Sequence, residues 1–117
     1  MKGSGPIYDK SKAFAIRIVN LYNYLKNSKA EYVLSKQMLR SGTSIGANVR
    51  EAVYAQSRAD FSSKMYIALK EAGETAYWLE ILKDAKYLTE SQAKSIRADC
   101  DELIRILSSI TKTLKSN

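Results

Sequence analysis

Glu71 and Glu74 stand three residues apart in the stretch Ile67-Ala-Leu-Lys-Glu-Ala-Gly-Glu-Thr-Ala-Tyr-Trp-Leu-Glu-Ile-Leu82, so on a helix both carboxylates share one face. Two carboxylates at that spacing can move a proton, help to hold a cation or bind an arginine. The chain has no histidine. That removes imidazole acid–base catalysis, histidine metal ligands and histidine-activated serine or cysteine nucleophiles. It also argues against Glu-x-x-His di-iron bundles and against helical ribonucleases that cleave with a histidine. A metal would want further His, Asp or Glu ligands. Arginine fits better. Arg40, Asn48 and Arg50 fall near the level of the two glutamates if their segments pack antiparallel, and a guanidinium grips a carboxylate as a planar fork. The expectation is structural pairing, with no catalytic residue, no metal, no cofactor and no enzymatic activity.

Two other features invite chemistry and then decline it. The small-residue run Ser41-Gly-Thr-Ser-Ile-Gly-Ala47 lacks the Gly-Lys-Ser/Thr ending of a phosphate-binding loop. Gly42 and Gly46 instead share a helix face and predict close approach of a second helix. Cys100 lies on an apolar seam with no basic partner evident, so it reads as a small hydrophobe rather than a nucleophile.

The elements that position these residues are four helices, over 9–27, 33–56, 58–86 and 90–114. Phe14, Ile18, Leu21 and Leu25 form the core stripe of the first, with Asp9 as N-cap. Leu34, Met38, Ile45, Val49 and Ala52 form that of the second, in phase on both sides of the two glycines. Phe61, Met65, Leu69, Ala72, Ala76 and Leu79 form that of the third, after a Ser57/Asp60 cap. The fourth opens on the capping box Thr89-Glu-Ser-Gln92 and continues as the narrow seam Ile96, Cys100, Leu103, Leu107, Ile110, Leu114. Short loops make neighbours antiparallel. The fold class is all-α, an up-down-up-down four-helix bundle over 9–115, with 1–8 a flexible N-terminal tail.

A length of 117 residues is one domain. One proline and five glycines favour long helices. A single cysteine excludes an intrachain disulfide and fits a reducing cytoplasm, the expected location. No apolar run reaches the length of a membrane span, and the N-terminus lacks the apolar core of a signal peptide, so no membrane partner is expected.

The net charge of +7 is uneven. Residues 9–27 carry four cations against one acid and 33–57 three against one, whereas 58–86 balance five against five. Lys10, Lys12, Arg17 and Lys26, with Asn20, Tyr24 and Asn27, make the first helix a candidate phosphate-contacting face. The same residues can be read as the solvated face of a basic protein. A second stripe on the third helix, Ile67, Glu71, Glu74, Trp78, Ile81 and Ala85, is too apolar for a solvated surface. It reads either as an oligomer interface, for which Trp78 is a suitable anchor, or as a wide core face.

The segments Arg40-Ser-Gly-Thr-Ser-Ile-Gly-Ala-Asn48 and 67–79 together resemble the bacterial four-helix-bundle family of the 23S rRNA intervening-sequence protein, and the likeness covers Ser11 to about Leu114. The family is related to the accessory protein of diversity-generating retroelements, a basic pentamer that binds a reverse transcriptase and nucleic acid. The resemblance implies a homo-oligomer, typically a pentamer. With the basic first helix, one reading is an accessory or assembly factor with structured RNA, another nucleic acid or a nucleic-acid-processing protein as partner. The alternative is a protein–protein adaptor or scaffold without nucleic acid. Gly73 departs from the asparagine common at that place.

Overall fold

The computed structural model describes residues 5–116, which form four helices: α1 (Pro6–Lys29), α2 (Leu34–Val53), α3 (Arg58–Asp84) and α4 (Glu90–Ser116). No strand occurs among the described residues. Consecutive helices pack antiparallel, and α1 meets α4 to close a four-helix bundle of 45 × 21 × 20 Å. α1 and α3 stand on one diagonal, α2 and α4 on the other.

Each helix start has a local cause. Gly5, at φ 100°, leads into Pro6 at the first helical position, where the missing N–H costs nothing. α1 therefore begins ahead of Asp9, which sits in the first turn rather than at the cap. Ile7 is buried in the core, so the expected tail over 1–8 is shortened from its C-terminal side; residues 1–4 lie outside the described residues. α2 is capped from a distance. Val33 offers no side-chain acceptor, but buried Glu31 accepts from the N–H groups of Val33 (3.2 Å), Leu34 (3.0 Å) and Ser35 (2.6 Å). At α3 the Asp60 N–H donates to Ser57 Oγ at 3.0 Å. The α4 box is reciprocal: Gln92 N–H donates to Thr89 Oγ1 and Thr89 N–H to Gln92 Oε1.

The core gathers Phe14, Ile18 and Leu25 from α1, Met38, Ile45 and Val49 from α2, Met65, Leu79 and Leu82 from α3, and Ile96, Leu103 and Leu107 from α4. α3 buries Ala68, Thr75 and Leu82 besides the expected Met65, Ala72, Ala76 and Leu79, while Phe61 and Leu69 are only half-buried. α2 runs unbroken through both glycines. A Cβ on Gly42 would lie 2.8 Å from Ile18 Cγ1, and one on Gly46 3.2 Å from the Ser11 carbonyl oxygen. These glycines let α1 press against α2, the close approach their spacing predicts.

Candidate assembly face and nucleic-acid interface

The carboxylate pair meets one of its three expected partners. The Arg40 guanidinium straddles the α2–α3 seam, one nitrogen 3.5 Å from Glu71 Oε2 and the other hydrogen-bonded to Glu74 Oε2. Trp78 Nε1–H donates to the same Glu74 oxygen at 3.2 Å, which fixes the indole against the carboxylate. Asn48 and Arg50 do not join. Asn48 donates to the Ser44 carbonyl one turn back, and Arg50 stacks over the Tyr8 ring at 4.7 Å. The cluster is not fully buried: the Arg40 side chain is 53% exposed. Glu71 Oε1 is buried and bonded to no described group.

Beneath this cluster Thr75 Oγ1 donates to Ser41 Oγ at 2.9 Å, a buried link that sets the register of α2 against α3. Among the described residues no cluster of three or more His, Cys, Asp or Glu could hold a metal ion. Cys100 lies in the core, its thiol 3.4 Å from the Ala72 carbonyl oxygen. Burial, reinforced by Asp101, pushes this thiol up to about 12, so it stays protonated and poorly nucleophilic.

The expected basic face of α1 divides in two. Lys10 pairs with Glu102 at 3.1 Å. Arg17 pairs with Asp99 at 2.6 Å and also bonds the Ser95 carbonyl and hydroxyl oxygens. Both cations are thus turned onto α4. Lys12 is exposed and enters no ion pair among the described residues, and Lys26 packs over the Tyr22 ring at 5.4 Å.

The consequence for α4 was not visible in the sequence. All four of its acids are engaged: Asp99 and Glu102 by α1, Asp101 by Arg97 at 3.0 Å, and Glu90 by Lys83 at 3.7 Å. Its exposed cations Lys94, Arg105, Lys112 and Lys115 enter no ion pair among the described residues. Positions 94, 105 and 112 are separated by three and two helical turns, so those three fall in one outward line. The spacing was legible beforehand; the neutralisation of the neighbouring acids depends on which helix lies alongside.

The α3 stripe is graded rather than uniform. Ile67 is 37% exposed, Trp78 and Ile81 are half-buried, and Ala85 lies exposed beyond the helix. Tyr77, at 55%, extends this apolar surface and meets Trp78 edge to face, ring centroids 5.2 Å apart.

A sequence profile described as 23S rRNA-intervening sequence protein matches residues 5–109. The chain belongs to that family. Among solved structures, it is similar to the crystal structure of a protein with unknown function from the S23 ribosomal protein family of Bacteroides thetaiotaomicron VPI-5482. The two are 59% identical with a TM-score of 0.90, over 92% of this chain and 99% of that one. No curated protein matches this chain. The family segments 40–48 and 67–79 are thus the two sides of the α2–α3 seam that holds Arg40, Glu71, Glu74 and the Ser41–Thr75 link.

Proposed function

We propose that this member of the intervening-sequence family is a non-enzymatic, homo-oligomeric accessory or assembly factor that binds nucleic acid, structured RNA above all, through phosphate contacts. The observation that carries this reading is the α4 line Lys94, Arg105 and Lys112, flanked by Lys115, whose neighbouring acids are turned away or paired. Cations without carboxylate partners are what a polyanion displaces its counterions to meet. Lys12 and Lys26 are not part of this line, and Lys10 and Arg17 hold α4 in position.

No aromatic base-stacking pair or Gly-x-x-Gly clamp accompanies the stripe, so selectivity would come from RNA shape. Purified protein should carry nucleic acid, seen as a raised 260/280 nm absorbance ratio that nuclease and high salt remove. A clean protein that captures the same partner with nuclease present would favour the adaptor reading. The exposed Tyr54 and Val33 at the bundle ends would suit such a protein contact.

The oligomer rests on the α3 surface around Ile67, Tyr77, Trp78 and Ile81, and the family likeness implies five copies. Light scattering should give close to five times the chain mass of 13.1 kDa. A single-chain mass would contradict assembly; a two- or four-chain mass would contradict only the number.

A further inference from the structure

Gly73 has no intrachain explanation. It lies inside a 27-residue helix, where glycine is disfavoured against alanine, yet a Cβ built there would meet nothing within 4 Å among the described residues. A second unexplained feature lies on the opposite corner of the bundle. Ile16 and Val19, 55% and 41% exposed, stand three residues apart on the outer side of α1. We infer that the outer face of α1 centred on Ile16 and Val19 docks against the outer face of α3 centred on Gly73 and Tyr77 of a second copy, head to tail. This rests on the oligomeric reading above and assigns its partner surface.

Three observations converge on this pairing. The first is height. Ile18 packs on Gly42, and neighbouring Ser41 is bonded to Thr75, so residues 16–19 of α1 stand level with 73–77 of α3. α1 and α3 run in the same direction, so copies arranged about an axis parallel to the bundle bring these faces together without a shift. The second is shape. Gly73 leaves an open place in the α3 surface, and an exposed aliphatic side chain of α1 is of a kind to fill it.

The third is charge. α1 carries five cations against one acid, whereas α3 carries five acids against four cations. Glu80 and Asp84, in the last turns of α3, enter no ion pair among the described residues, and Lys26, in the last turn of α1, lies at the same end of the bundle without one. Pairing α1 with a second α1 would oppose cation to cation; pairing it with α3 does not. Two different faces joined head to tail give a closed ring when the rotation closes. Such a ring leaves the α2–α4 diagonal free, and every α4 cationic line would then run parallel to the ring axis.

The test uses two full-length variants. Ile16→Glu with Val19→Glu blocks the α1 face, and Gly73→Glu with Tyr77→Glu blocks the α3 face. All four residues are exposed, and melting by circular dichroism checks that both variants stay folded. By light scattering each variant alone should fall to the single-chain mass. Mixed at high concentration they should form a two-chain complex and stop there, because each retains one competent face. A covalent check is the Val19→Cys/Tyr77→Cys double variant, which should oxidise to a ladder of cross-linked chains, whereas the two single variants should not. Wild type at single-chain mass would overturn oligomerisation and this pairing together. A wild-type oligomer that survives either blocked face, or blocked variants that form no complex on mixing and no ladder on oxidation, would overturn the pairing alone.

Discussion

Gly42 and Arg40 show how differently two neighbours in one family segment contribute. Gly42 is a contact in which nothing can give: an added methyl would lie 2.8 and 2.9 Å from two carbons of Ile18, which is fully buried. Gly42→Ala should therefore destabilise the fold by about 1–3 kcal/mol despite alanine's better helix propensity, as overpacking of a rigid core does. Denaturant unfolding reads that loss directly, and an unchanged midpoint would contradict it. Arg40 sits at the other extreme. A fully buried arginine–carboxylate cluster would lose about 3–5 kcal/mol when one partner is removed. With half of the guanidinium side chain in water, Arg40→Ala and Glu74→Gln should instead each cost about 1 kcal/mol. Thermal melts separate the two cases. The pairing of Arg40 with the glutamates was readable from residue type and antiparallel level. The exclusion of Arg50 was not, because its partner is the Tyr8 ring on a different helix.

Among the elements, α2 depends on a residue outside it. Glu31 lies three places before the first α2 residue and looks like loop in the sequence, yet its carboxylate receives three backbone N–H groups at the positive end of the helix. Burial raises its pKa, but the hydrogen bonds from Leu34, Ser35 and Val33 and from the Ser35 hydroxyl outweigh that and hold it below the ordinary 4.5. A depressed folded value means that the unfolded chain binds the proton more readily. The stability Glu31 contributes is then complete above the unfolded value and is lost as pH falls through the folded one. Glu31→Gln should cost about 1–2 kcal/mol at neutral pH, the range for a lost cap. The gap between variant and wild type should close in acid, and a gap that widens there would refute the assignment. The helices themselves were legible because their stripes repeat at three and four residues, most strictly in α4. α3 was less so: Ala68 and Thr75 are small or polar, and their burial comes from the two helices that flank them.

For the whole molecule, charge is redistributed by packing rather than by sequence order. Read along the chain, the cationic excess sits in the first half; read across the bundle, α1 lends Lys10 and Arg17 to the acids of α4. On α4 the line Lys94, Arg105 and Lys112 remains outward without an ion pair among the described residues. A stripe of this kind should bind RNA with little sequence preference and with affinity that falls steeply with salt. The decisive measurement is a titration of labelled structured RNA at several salt concentrations, comparing wild type with the Lys94→Glu/Arg105→Glu/Lys112→Glu variant. Every phosphate that the protein no longer neutralises should lower the slope of log affinity against log salt by about 0.7–0.9, so the triple variant should lose about 2–3 of that slope while keeping its assembled mass. Absence of binding by wild type at low salt, or a slope the three reversals leave unchanged, would contradict phosphate recognition by α4.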